Sequence, residues 1–182
     1  MKLSRPDGFD DALRRGRLVE AAVCTFLHSQ GWNTLEVNAT TRDTHGPRLY
    51  VEGRALIAPD RLLIHPSGLM RWLEVKEKQG WTWFRHRNVF QTGMNARQFD
   101  DYLQLPALTG HDVWLIFVQQ GGQTQGYAHP TPAGVYGNLA THLGPLADHR
   151  ALSKGVPMVY WCLESFKLLA TLKDVFPEGA SL

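Results

Sequence analysis

Cysteine is scarce in this chain: Cys24 and Cys162 are the only two. A structural zinc site takes about four ligands and a thiolate-held iron–sulfur cluster about four cysteines, so these two thiols complete neither. They read instead as small buried hydrophobes. The eight histidines are scattered singly, and neither His-Glu-x-x-His nor Cys-x-x-Cys occurs, which leaves a zinc hydrolase without its ligands. No apolar run approaches the roughly 20 residues that a bilayer span needs. The opening Met1-Lys2-Leu3-Ser4-Arg5-Pro6-Asp7 has no apolar segment of the signal-peptide kind, so a cytoplasmic protein without a membrane partner is expected. Internal repeats and low-complexity stretches are also missing. Charge of one sign is in short supply too. The net charge of +2 and pI near 8.6 are too mild to argue for a polyanionic partner, and any such affinity must come from local clusters of Arg and Lys.

What is present is an ordinary globular balance, 43% hydrophobic and 20% charged over 182 residues, enough for one domain with a sizeable core. The spacing predicts a helix over residues 10–30, with Leu13, Arg17, Glu20, Cys24 and Leu27 near one face and Gly31 as its stop. A first strand follows from Trp32 to Asn38, then a polar loop from Ala39 to Arg48. Leu56 to Ile64 reads as one or two strand segments interrupted by Pro59. His65-Pro66-Ser67-Gly68 is a turn and Leu69 to Lys76 an alternating strand, which makes Leu62 to Lys76 a hairpin. Residues 77–94 look irregular. Asn95 caps a helix from Ala96 to about Leu105, stopped by Pro106. The run from Val113 to Val118 reads as a buried central strand. A short helix is expected from Val135 to His142, a strand from Val156 to Leu163, and a last helix from Glu164 to Leu172. Together these predict an α/β fold with a mixed central sheet flanked by helices.

One constellation carries chemistry. On a strand, alternate side chains share a face, so Glu74 and Lys76 project together while Val75 points to the core and keeps its carbonyl available as a ligand. The hairpin brings Asp60 beside Glu74. Two carboxylates with an adjacent ammonium suit phosphodiester hydrolysis: hard oxygens hold Mg²⁺ or Mn²⁺, and a lysine orients or deprotonates the nucleophile or stabilises the developing charge. A solvated Glu-x-Lys pair is the plain alternative. Against it, Leu62-Leu63-Ile64 and Trp72-Leu73 set these charges among apolar strands, where charge is costly unless used or paired.

Pro59-Asp60 and Glu74-Val75-Lys76 resemble the motif of the PD-(D/E)xK nuclease superfamily. Two further motifs extend the resemblance toward RecB-like nucleases and Holliday-junction-resolvase-like members. One is the Gly16-x-x-x-Glu20 of the first helix. The other is the Gln98-x-x-x-Tyr102 of the helix after the Glu-x-Lys strand, one turn apart on one face. Gly110-His111-Asp112 before the apolar strand is similar to the layout of VRR-Nuc-type members. The resemblance spans residues 12–118, and residues 119–182 match nothing familiar. It implies a restriction-endonuclease-like core within a single nuclease domain over 1–182, with Glu20, Asp60, Glu74 and the Val75 carbonyl on a divalent metal. Lys76 would act on the attacking water, Gln98 would position Lys76 or the phosphate, and Tyr102 would support that helix or the DNA. The activity implied is that of a deoxyribonuclease, a RecB-like exonuclease or a structure-specific endonuclease of the DNA-processing or phage type. The plainer roles are an ion-pair partner of Arg14 or Arg17 for Glu20, an exposed amide for Gln98, core packing for Tyr102, and solvated helix charges for Asp100 and Asp101.

For DNA contact the sequence offers Arg14, Arg15 and Arg17, and the run Trp81-Thr-Trp83-Phe-Arg85-His-Arg87 just after Lys78. Rings would stack on bases and arginines would meet phosphates. The same alternation equally fits a strand that buries Trp81 and Trp83. Arg42 and Arg48 flank the polar loop, which could close on DNA. Residues 119–182 either complete the sheet or form the surface of a homodimer. Two rival readings are a non-catalytic DNA-binding or assembly module on the same fold, and an unrelated α/β protein in which Asp60 and Glu74 lie far apart.

Overall fold

The computed structural model describes residues 9–37 and 47–176. Its elements in order are α1 (Phe9–Ser29), β1 (Asn33–Glu36), β2 (Arg48–Val51), β3 (Arg54–Ile57), β4 (Arg61–Ile64), β5 (Met70–Lys78), β6 (Thr82–Phe84), β7 (Val89–Asn95), α2 (Ala96–Tyr102), α3 (Leu105–Thr109), β8 (Val113–Gln119), β9 (Gly134–Leu139), α4 (Ala140–Leu143), β10 (His149–Ser153), β11 (Val156–Cys162), a single 3-10 turn at Leu163–Ser165, β12 (Lys167–Ala170) and α5 (Leu172–Val175). Arg42 and most of the polar loop lie outside the described residues. Among the described residues no helix is long and apolar enough to cross a membrane.

The central sheet runs β1-β4-β5-β8-β9-β12. It is mixed: β5 and β8 are parallel, with Glu74 beside Leu115 and Lys76 beside Phe117, while the other neighbours are antiparallel. The parallel pair requires a crossover, and β6, β7, α2 and α3 supply it. On one face Val19, Val23 and Leu27 of α1 pack against Leu63, Leu73, Ile116 and Val118. The other face is covered by α2 and by a second, antiparallel sheet, β10-β11-β7-β6. Between the sheets lie Trp81, Phe99, Tyr102, Leu115, Phe117, Trp161 and Phe166. Complete burial of each such side chain contributes about 2 kcal/mol.

Strand alternation decides which side each residue serves. Leu73 and Val75 belong to the α1 side. Trp72, and with it Glu74, Lys76 and Lys78 by alternation, belongs to the α2 side. The β4–β5 pairing ends at Arg61 beside Leu73. Before Arg61 stands Pro59, which has no N–H to offer a ladder. The chain therefore leaves the sheet at Asp60, and from Glu74 onward that flank of β5 opens into a cleft.

Several expectations are corrected. Residues 77–94 are not irregular but form β6 and β7. Gly93 and the polar Gln91 break their apolar pattern, and Gly93 is required because a Cβ there would stand 2.5 Å from the Val159 carbonyl oxygen. Val135 to Leu139 is strand β9 and not helix, with only Ala140–Leu143 helical. Glu164 to Leu172 is not one helix: the chain there forms a 3-10 turn and β12 and reaches the short α5 only at Leu172. Pro106 does not stop a helix. It sits in the first turn of α3, where a missing N–H costs nothing. The strands β9 and β12, within residues 119–182, lie in the central sheet beside β8.

The β2–β3 hairpin turns through Glu52 and Gly53, both at positive φ (47° and 78°), as a two-residue turn demands. It is fastened to α2 because the Ile57 N–H donates to Asp101 Oδ2 at 3.0 Å. Asp101 is thus a buried bracket, 9% exposed, and not a solvated helix charge. Asp100 is the more exposed of the two and takes Arg150 in a bidentate pair. Asp101→Ala should leave the Ile57 N–H without its partner and lower unfolding stability by about 1–3 kcal/mol in urea denaturation.

Candidate active site

Glu74 sits at the centre of a cleft of about 430 Å³ lined by Arg48, Ile57, Asp60, Lys76, Arg97 and Gln98, among others. Its side chain is 6% exposed, so its charge must be met by protein. Three donors do so. Lys76 Nζ lies 2.5 Å from Oε1. Gln98 Nε2 donates to the same oxygen at 3.3 Å, and Tyr102 OH donates to Oε2 at 2.6 Å. Gln98 Nε2 also donates to the Tyr102 oxygen at 2.7 Å, which links the two residues one helical turn apart. The Asn95 side chain caps α2 by accepting from the Gln98 N–H at 3.2 Å, so the cap places the helix start, and with it Gln98, against β5.

The electrostatics follow from this crowding. Burial pulls the Lys76 ammonium down, but the charge and hydrogen bond of Glu74, then the charges of Asp60 and Glu20, outweigh it. The net shift is upward, and Lys76 stays cationic although a third of its surface faces the cleft. Burial, reinforced by Glu74, raises the Tyr102 hydroxyl well above its ordinary range, so it remains a donor. Asp60 is exposed at the mouth, yet the cleft walls strip enough water from its carboxyl, with Glu74 and Glu20 repelling it, to lift its pKa to about 6. Lys78, further along the same face of β5, falls to about 8 through burial and then the Lys76 charge.

The cleft therefore brings together Asp60, Glu74, Lys76, Gln98 and Tyr102. Gln98 and Tyr102 are neither an exposed amide nor mere packing, since both hold Glu74. Glu20 is elsewhere engaged. Arg61 shares the α1 side of the sheet with Leu73, and its Nε donates to Glu20 in a close ion pair. The partner of Glu20 is thus neither Arg14 nor Arg17. Val75 lies between Glu74 and Lys76 with its side chain on the α1 side. Of the residues expected on DNA, Arg14, Arg15 and Arg17 are exposed on α1. Trp81 is 1% exposed, edge-on to Tyr136, and donates to the Pro132 carbonyl, so its ring belongs to the core and no base can reach it. Trp83 is half-buried between Phe90 and Tyr127. Arg87 is tied to Asp148, and Arg85 is exposed beside Gly126. Arg97, never singled out from the sequence, also lines the cleft. One arginine on the polar side of a helix gives no signal until the helix is docked.

A divalent cation fits this donor set. A carboxylate offers about four acceptor sites, and three donors occupy Glu74, which leaves room for one more contact. Asp60 is held close to Glu74 against their mutual repulsion, an arrangement that a dication relieves. Mg²⁺ takes one or two carboxylates and completes its shell with waters and phosphate oxygens. Among the described residues no three His, Cys, Asp or Glu side chains form a metal-holding group.

Among solved structures the chain is similar to Hjc, a Holliday junction resolvase from the archaeal hyperthermophile Archaeoglobus fulgidus. The two are 9% identical with a TM-score of 0.48, over 82% of this chain and 90% of that one. No family model matches the sequence, and no curated protein does.

Two outcomes are expected from the cleft. The folded pKa of Asp60, about 6, lies above its ordinary 3.8, so between these values the folded protein keeps a proton that the unfolded chain loses. Stability then falls as pH rises through that window. In metal-free buffer Asp60→Asn should remove this fall and equal or exceed the wild type at about pH 7.5, the difference vanishing near pH 4, as read by urea denaturation. Tyr102→Phe should cost about 2 kcal/mol at neutral pH by the same measurement, because Glu74 Oε2 loses a buried donor.

Proposed function

We propose that the chain is a divalent-metal-dependent nuclease that hydrolyses phosphodiester bonds in DNA, a member of the PD-(D/E)xK superfamily with a restriction-endonuclease-like core. The observation that carries the reading is the buried Glu74 carboxylate. It is oriented by Lys76, Gln98 and Tyr102 and faces the same cleft as Asp60, whose pKa burial and then the Glu74 charge lift to about 6. A structural ion pair has no need of a second carboxylate in the same cleft, whereas a cation site does.

Asp60 and Glu74, with the Val75 carbonyl, would hold Mg²⁺ or Mn²⁺. Once bound, the ion supplies charge stabilisation at the scissile phosphate and lowers the pKa of water beside it. The protein's own groups have distinct tasks. Lys76, whose pKa the Glu74 charge holds up against burial, neutralises charge that builds on the phosphate. Gln98 and Tyr102 are positioning residues that fix which Glu74 lone pair faces the cleft. Arg48 and Arg97 at its walls favour a polyanion.

A specific observation also favours the non-catalytic module: Glu20, the remaining carboxylate of the resemblance, is taken by Arg61. A nuclease assay with Mg²⁺ and Mn²⁺ on linear duplex, single-stranded, circular and branched DNA decides between them. Metal-dependent cutting is expected, abolished by Asp60→Asn and reduced about 100-fold or more by Lys76→Ala. Cutting of closed circles would mark an endonuclease, and cutting confined to free ends an exonuclease. Absence of cutting on every substrate, with no heat of Mg²⁺ or Mn²⁺ binding in calorimetry, would overturn the reading in favour of the module.

A further inference from the structure

The β2–β3 hairpin stands over the candidate active site with one face turned inward. Residues opposite one another on paired strands share a face, so Arg48 and Ile57 form one such pair and Tyr50 and Ala55 the next. Arg48, Ala55 and Ile57 line the cleft. Tyr50 therefore belongs to the cleft-side face, one pair nearer the tip. Its ring is 76% exposed, the most exposed of the large hydrophobic side chains described. One exposed aromatic means little by itself. This one is set on a rigid arm. The Ile57 N–H is fastened to Asp101, the Ala58 N–H donates to the Pro47 carbonyl at 2.9 Å across the arm's base, and Arg54 bonds the Gln104 side chain. Asp101 lies on α2, the helix that also carries Gln98 and Tyr102. The hairpin that carries the ring is thus tied to the helix that holds Glu74. Arg97, exposed on the first turn of α2, lines the same cleft.

We infer that this arm receives an unpaired stretch of the substrate strand, with Tyr50 stacking on a nucleobase while Arg48 and Arg97 take the phosphates that lead to Glu74. The inference rests on the nuclease reading for the cleft and names its substrate class: DNA with single-stranded or splayed nucleotides at the scissile position. A base inside a duplex has both faces covered by its neighbours, so a protruding ring finds a partner only where bases are free. The arrangement of one ring with two flanking cations is what a backbone-tracking groove for single strands uses. It serves every base alike, because all have a π-face, so little sequence preference is expected from this contact.

The experiment measures binding separately from cutting. Fluorescein-labelled single-stranded and duplex oligonucleotides of equal length are titrated in EDTA with wild type, Tyr50→Ala, Tyr50→Phe, Arg48→Ala and Arg97→Ala, and followed by anisotropy at several salt concentrations. The wild type should prefer the single strand. Tyr50→Ala should lose about tenfold in single-strand affinity at every salt concentration, while Tyr50→Phe keeps it. Each arginine variant should instead flatten the salt dependence by about 0.7 in log K against log salt. Equal single-strand affinity of Tyr50→Ala and wild type, or an equal loss on duplex, would overturn the inference. Cleavage assays run in parallel separate the two failures. Metal-dependent cutting with binding indifferent to Tyr50 would sink the arm and leave the nuclease standing. Tyr50-dependent binding of single strands without any cutting would sink the nuclease and uphold the arm.

Discussion

A carboxylate placed inside a protein must be surrounded by donors or it unfolds what holds it. Glu74 is that group here. Its position on β5 is fixed by the parallel ladder to β8, and its three donors come from β5 itself and from α2. The docking of α2 on the sheet is therefore as much polar as apolar. Phe99 supplies the contact with Trp161, while Gln98 and Tyr102 supply the bonds that let Glu74 remain buried. Removing one donor leaves a largely buried charge short of a partner, which costs more than the lost bond alone. The same three bonds orient the carboxylate, so what keeps the fold intact also prepares the cleft.

Asp60 shows the opposite balance. Burial opposes its charge, and the neighbouring carboxylates oppose it further. It is tolerated because it stands where Pro59 has already taken the chain out of the sheet, beyond the last β4–β5 pair. A destabilised group beside a well-satisfied one is the pattern expected where stability is surrendered for binding or chemistry.

The second sheet gives this arrangement a back wall. Phe166 meets Phe117 and Trp161 edge-to-face and Trp81 at a tilt behind the cleft, and β7 runs directly into the Asn95 cap of α2. Displacing β7 would move Gln98. Trp81, which read as a stacking surface in the sequence, thus serves the site from behind, while Arg48 and Arg97 line the open side of the cleft.

Local pattern determined a good deal of this protein. The helical period of α1, the alternation of β5 around Glu74 and Lys76, the proline break at Pro59, the apolar run of β8 and the Asn95 cap all depend on neighbours in the chain, and all were legible there. So was the helical spacing that sets Gln98 above Tyr102. Where pattern was ambiguous it misled. Val135, Leu139 and Leu143 repeat at a helical interval although the first two stand on a strand, and Gln91 and Gly93 obscured β7. Only tertiary structure could decide the rest, because it turns on which faces meet. Trp81 was a candidate for stacking until a second sheet closed over it. Glu20 acquired its ion-pair partner only when strand alternation placed Arg61 on the α1 side, and Asp101 looked like a surface charge until a hairpin docked on it. Arg97 and Tyr50 carried no signal at all, since a side chain becomes part of a site only when elements far apart in sequence fold to put it there.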